Sequence, residues 1–248
     1  MATAGKTSLR FRVASDQSLI VYFDPPRRKG EAEDPLPQEK ITLDAHEQVR
    51  RLLRVLDIEP IPGVRNFHPG YSSLLVKFDA LKLRHADLEQ IIRGYMLRME
   101  KLPLPEPRLI EIPVCYGAEY GPDLKVVAEL HGLTEAQAIE LHASGTYLVY
   151  FLGFAPGFAY LGDVAQELAT PRLPLPRKSV PAGSVGIAGR QTGVYPISTP
   201  GGWRLLGRTP VRMFQPDRVQ MSLLAIGDRV RFVPISKPQF AKLAAENA

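Results

Sequence analysis

The chain has 248 residues, a formal net charge of +5, 45% hydrophobic residues and 23% charged ones, which suits one large globular domain or two of ordinary size. No apolar run reaches the ~18 residues that a bilayer-spanning helix needs. The start MATAGKTSLRFRV has no apolar stretch of the signal-peptide kind, and the single cysteine, Cys115, excludes an intrachain disulfide, so the chain reads as cytoplasmic, with no membrane partner.

In the first hundred residues, Leu9, Phe11 and Val13 alternate with polar residues at strand period, Ser15-Asp16 makes a turn, and 19–23 forms a second strand. Residues 25–40, PPRRKGEAEDPLPQEK, are a polar, proline-rich insertion that reads as a mobile surface loop. Asp44 and Glu47 resemble a capping box, and Val49, Leu52, Leu53 and Leu56 follow at helical spacing. A strand at 64–67, a turn at His68-Pro69-Gly70 and a strand at 74–78 precede a second amphipathic helix carrying Leu88, Ile91, Ile92, Tyr95, Met96 and Met99. Two helices on a small antiparallel sheet predict an α+β N-terminal domain, 1–105, of the ferredoxin-like split βαβ plan.

The tract KLPLPEPR at 101–108 sets a boundary, because its prolines cannot continue the helix. The second domain, 106–248, opens with a strand at 109–116. A short helix follows, with Pro122 in its first position and Leu124, Val127 and Leu130 on one face. Thr134 and Gln137 cap another, which presents Ile139 and Leu141. Helical periodicity then stops. Strand candidates at 147–152, 185–188, 195–198, 203–206, 211–214 and 229–233 are split by Gly and Pro turns, the pattern of a closed or nearly closed β-barrel.

Residues 147–214 carry the candidate site. Glycine, proline, aromatics and arginine are dense there and acids sparse, which reads as a pocket of loops on a rigid sheet. Elsewhere the basic residues are scattered, and no zinc-finger, RNP or helix-turn-helix spacing supports a nucleic-acid partner. Arg172, Arg177 and Lys178 lie among Pro171, Pro174, Pro176 and Pro181, which hold the chain extended and aim the cations. A guanidinium grips a carboxylate or phosphate through paired hydrogen bonds. Gln191 and Tyr195 add neutral donors and acceptors. Phe154, Phe158, Tyr160 and Trp203 offer aromatic walls. Together these fit a small, flat, anionic substrate. The alternative is a solvated basic face over aromatics that are simply barrel core.

Other motifs carry less. The run from Gly183-Ser184 to Gly189 is spaced G-x-x-G-x-x-G, so it is either an anion-holding nest or a plain barrel turn, and not a dinucleotide fingerprint. His142, at the end of the last helix, either faces the pocket or complements its helix dipole. The histidines lack metal-ligand spacing, so no metal site is expected. Gly5-Lys6-Thr7 matches only the end of a P-loop. Cys115 reads as a packed thiol. G-x-S-x-G is absent, so residue chemistry reaches an anion-binding pocket and no reaction.

One long ordered series remains. It runs Gly153-Phe154-Ala155-Pro156-Gly157-Phe158, Tyr160-Leu161-Gly162, Pro171-Arg172, Pro176-Arg177, Val180-Pro181-Ala182-Gly183-Ser184-Val185 and Ile187-Ala188-Gly189. It closes with Tyr195-Pro196, Pro200-Gly201-Gly202-Trp203 and Gly207-Arg208-Thr209-Pro210. With IPVCYGAEYGPDL at 112–124, Leu141-His142 and HPGYSSLLVKFD at 68–79, it resembles the allophanate-hydrolase-subunit-1 family over nearly the whole chain. The resemblance implies an α+β domain followed by a mainly-β cyclophilin-like barrel. It implies the B component of an ATP-dependent 5-oxoprolinase, inactive alone, which works with a cyclophilin-like subunit-2 partner and a third subunit. ATP with Mg would be the co-substrate. By motif match, Arg172, Arg177 and Gln191 would stabilise phosphoryl and carboxylate charge, with His142 beside them. Phe154, Pro156, Phe158, Tyr160, Gly183, Ser184, Tyr195 and Trp203 would contact substrate.

The same family offers two other readings. One is the carboxyltransferase half of a biotin-dependent urea carboxylase and allophanate system, although the chain has neither a biotinyl M-K-M segment nor an amidase Ser-Ser-Lys region. The other is a histidine-kinase inhibitor, whose docking surface the 25–40 insertion would alter while leaving the pocket motif untouched. Ala159 stands where many relatives have proline, a change that loosens the loop.

Overall fold

A computed structural model describes residues 8–24 and 42–246. The Gly5-Lys6-Thr7 triplet and the 25–40 insertion lie outside the described residues. The chain divides into two compact units, Met1–Glu106 and Pro107–Ala248.

The first unit is built from β1 (Ser8–Ser15), β2 (Ser18–Asp24), α1 (Leu43–Ile58), β3 (Val64–Pro69), β4 (Ser73–Phe78) and α2 (His85–Met99). Its sheet has the order β1-β2-β4-β3, and every neighbouring pair is antiparallel. Alternate residues of β2 and β4, among them Leu19, Val21, Leu74 and Val76, share one core with Val49, Leu52 and Leu56 of α1 and Leu88 and Ile92 of α2. The α+β composition is as expected, but the ferredoxin-like chain order does not form. That plan runs β-α-β-β-α-β, whereas here the order is β-β-α-β-β-α, each antiparallel hairpin being followed by a helix, and only one split unit is kept, β2-α1-β3 with β4 between its strands. The start of α1 also differs: Thr42 is the N-cap, its Oγ1 accepting from Ala45 N at 3.1 Å. Glu47 instead pairs with Arg51 one turn on.

The second unit comprises β5 (Leu109–Tyr116), α3 (Leu124–Leu130), α4 (Glu135–Ser144), β6 (Tyr147–Leu152), β7 (Ala159–Gly162), β8 (Arg177–Val180), β9 (Ser184–Ala188), β10 (Gln191–Val194), β11 (Thr199–Gly201), β12 (Arg204–Arg208), β13 (Arg229–Pro234) and α5 (Lys237–Glu246). Seven strands close into a barrel in the order β10-β7-β6-β13-β5-β12-β9. β13 runs parallel to β5 and antiparallel to β6, between them. The remaining two strands, β8 and β11, form a separate ribbon. Thr134 and Gln137 make the expected capping box on α4. Pro122 lies in the turn before α3 rather than at its first position.

Two expected strands are absent. The β9–β10 ladder continues through Tyr195, whose N–H bonds Ser184 O at 2.9 Å, and stops at Pro196, which has no N–H to offer. Residues 211–214 hold only an isolated bridge between Phe214 and Ser222.

Side chains alternate across the barrel wall, as strand geometry requires. Leu161, Val185, Ile187, Val194 and Leu206 point into the interior core. Their neighbours Tyr160, Ala188, Tyr195 and Leu205 belong to a second cluster on the outer wall, with Phe158, Val180 and Trp203.

Candidate functional site

The outer-wall cluster gathers most of the predicted aromatics. Phe158 sits at its centre, edge-on to Phe154, Tyr160, Tyr195 and Trp203 at centroid distances of 5.0–5.5 Å, in the T-shaped geometry that aromatic quadrupoles favour. Two glycines make room for it. A Cβ on Gly193 would lie 2.9 Å from Ala159 O, 3.2 Å from the Trp203 ring and 3.3 Å from the Phe158 ring. One on Gly186 would lie 3.3 Å from Trp203 Cβ. The glycines of this region thus serve packing.

The loop between β6 and β7 is closed by Gly153 N–H to Phe158 O (3.0 Å) and Phe158 N–H to Ala155 O (3.0 Å). Within it, Phe154 has φ +70°, a left-handed conformation that costs a non-glycine residue roughly 1–3 kcal/mol. The ring is 62% exposed. Pro156 is exposed beside it, whereas Phe158, Tyr195 and Trp203 are buried and Tyr160 half-buried.

Both predicted arginines reach this cluster. Burial raises the Tyr195 phenol above its ordinary pKa, and the Trp203 backbone and the Arg172 and Arg177 guanidiniums oppose that rise. Tyr160 is likewise raised by burial and opposed by Arg172. Both guanidiniums therefore lie within electrostatic range of the Tyr195 ring. Arg177 opens β8 of the ribbon, and the loop that carries Arg172 is pinned by Leu173 N–H to Gly202 O at 2.7 Å. Arg172 and Lys178 are exposed. Arg177 is committed inward, donating Nη2 to Asp123 Oδ1 at 2.7 Å and Nη1 to Trp203 O at 3.4 Å. The second oxygen of Asp123, Oδ2, accepts from Leu205 N at 2.7 Å. Asp123 thus ties the ribbon to β12. Its partner Arg177 lies 54 residues away, so spacing in the sequence does not reveal the pair.

The anion nest does not form. Gly183 N–H donates to Tyr195 O, Ser184 N–H to Pro181 O and Gly189 N–H to Thr170 O, so these donors are spent on the backbone and the barrel-turn reading holds. Gly183 and Ser184 are buried at that turn. Gln191 shares the outer face with Gly193, two residues on.

His142 is the predicted residue that the structure sets apart. It lies in the barrel interior, fully buried, stacked on Phe232 of β13 and beside Tyr147 of β6. Its Nδ1 is 2.8 Å from the Tyr116 hydroxyl and its Nε2 is 2.9 Å from Thr192 Oγ1. Thr192 donates its own proton to Gly186 O at 3.1 Å, so it accepts from His142. The imidazole is therefore the Nε2–H tautomer, and Tyr116 donates to Nδ1. Burial lowers its pKa from 6.5 to about 3. Thr192 faces inward and Gly193 outward, so β10 stands between His142 and the arginines. Helix-end position in the sequence could not reveal which side of the wall the ring takes. Cys115 is also buried, which raises its thiol pKa and agrees with a packing role.

With this geometry in view, comparison places the chain in a known class. Residues 9–224 match the family of the carboxyltransferase domain, subdomain C and D, and the chain belongs to that family. Within it, the chain is 42% identical over 211 residues to the B component of 5-oxoprolinase from Bacillus subtilis, covering 79% of this chain and 88% of that one. It is 48% identical over 199 residues to the same component from Escherichia coli O157:H7, covering 78% and 88%. A crystal structure of a conserved uncharacterized protein from Pyrococcus horikoshii is 40% identical with TM-score 0.53, covering 93% of this chain and 100% of that one. The Kluyveromyces lactis urea amidolyase has TM-score 0.76 at 17% identity, covering 98% of this chain and 16% of that one, a likeness of fold alone. The chain also spans 39% of a longer crystallised protein at 39% identity.

Proposed function

We propose that this chain is the B component of a 5-oxoprolinase, which opens the lactam of 5-oxo-L-proline to give L-glutamate. The observation that carries the reading is its 42% and 48% identity to two bacterial components of that name. A lactam is a poor electrophile. ATP, with Mg, is the co-substrate in this reading: transfer of its terminal phosphoryl group to the lactam oxygen releases ADP and activates the carbon, water adds there and the ring C–N bond breaks to give the acyl phosphate of glutamate, and a second water releases phosphate and glutamate. Fixed positive groups stabilise the charge that develops.

The outer wall suits part of that task. Exposed Arg172, beside Tyr160 and Tyr195, grips the substrate carboxylate, and Phe154 covers the ring. Arg177 acts by position and field, since Asp123 already holds it. Gln191, on the same face, supplies an amide. His142 takes no part in the chemistry of this reading. A subunit-2 family partner and a third subunit complete the site, so the chain alone is inactive in the cytoplasm.

The test is reconstitution. Mixing the chain with its two partner subunits gives ATP-dependent glutamate release from 5-oxoproline, and omitting the chain abolishes it. A folded three-component mixture that releases no glutamate rejects the reading.

A further inference from the structure

Arg212 lines two clefts of the second unit, which therefore adjoin. The first, of about 430 Å³, is lined also by Arg108, Arg218, Gln215, Gln220 and Ser222, with Val219 and Met221. The second, of about 360 Å³, brings Arg208 and Thr209 together with Pro196, Val211 and Phe240. Among the described residues no acidic side chain lines either cleft. Behind the lining, both oxygens of Asp228 accept from Arg108, one from Nε at 2.9 Å and one from Nη2, so that guanidinium is already paired, and Asp217 precedes Arg218 in an exposed turn. Apart from Gly183, none of the residues placed at the Tyr195 site lines these clefts.

The two halves differ in chemistry. The first presents guanidinium, amide and hydroxyl groups, and its volume exceeds what one carboxylate fills. The guanidiniums of Arg212 and Arg218 match the several oxygens of a phosphate, which carries more charge than a carboxylate. The second is walled by Pro196, Pro210, Val211 and the Phe240 ring, itself packed on Tyr120 at 4.5 Å, and beyond the shared Arg212 it adds one cation, Arg208. Such a wall takes the organic part of a ligand, and a flat ring best.

We infer that these clefts bind one small phosphate ester, its phosphate groups between Arg212 and Arg218 and its organic part reaching past Arg212 to Phe240. The inference stands on the clefts and holds whether or not the chain serves an oxoprolinase.

Calorimetric titration of the full chain tests it, with ATP, inorganic triphosphate and citrate as probes. ATP and triphosphate bind, ATP more tightly, and citrate does not compete. Arg212→Ala/Arg218→Ala weakens both by about tenfold or more. Phe240→Ala removes only the advantage of ATP. A charge-matched pair in the other unit, Arg12→Ala/Arg54→Ala, changes neither. Circular dichroism and Trp203 emission check that each variant is folded. Should the double variant unfold, Arg218→Gln alone weakens both phosphates in the same direction. Absence of binding at millimolar concentration, binding indifferent to the arginine substitutions, or citrate binding as well as ATP overturns the proposal. Equal affinity for ATP and triphosphate overturns its organic half and leaves an inorganic phosphate site.

Discussion

Asp123 is a buried carboxylate with both oxygens engaged, one by Arg177 and one by Leu205 N–H. Removing it strands a guanidinium that is only 28% exposed and a buried backbone donor, and unmade partners of this kind are costly. Asp123→Ala should lower stability by about 2–3 kcal/mol, measured by denaturant unfolding, and should loosen the ribbon that carries Arg177. Phe154 shows the opposite economy. Its left-handed backbone carries strain, and the residue stays 62% exposed although its ring meets Phe158 edge-on.

The glycines of β9 and β10 show how elements make the site. Gly193 faces the outer cluster with no space for a methyl group, so Gly193→Ala should cost about 1–3 kcal/mol through overpacking. Trp203 is the single tryptophan, so its fluorescence reports this cluster directly and should shift to longer wavelength in the variant. An unchanged spectrum and midpoint would contradict the packing described. Elements with strong periodicity were legible in the sequence: both helices of the first unit, the Thr134–Gln137 box, β5, β6 and β13. The short strands β7, β8, β10 and β11 and the helix α5 were not, because three to four residues of Gly, Pro and Arg carry no period, and α5 buries no side chain that would impose one. The aromatics and arginines of the site could be read from motif order. Which face of the wall each occupies depended on register, and a shift of one residue reverses it.

At the scale of the whole molecule, barrel stability is tied to pH through His142, whose ring meets side chains from β5, β6, β10 and β13. Its folded pKa, about 3, lies below the ordinary 6.5. Between these values the unfolded chain takes a proton that the folded barrel refuses, so stability is full above 6.5 and falls as pH drops toward 3. His142→Gln should make the stability slope across that window shallower by about 1.4 kcal/mol per pH unit, read from unfolding midpoints at several pH values; equal slopes would remove His142 as the cause. The last barrel strand has a consequence of another kind. β13 fills the gap between β5 and β6, and Arg231 meets Glu111 across 120 residues of chain. During synthesis the first unit is free of the ribosome long before this strand emerges, while the half-made barrel waits with two unpaired edges and an uncovered interior. That exposed intermediate can close only once β13 has left the ribosome, and any chaperone engagement belongs to that interval.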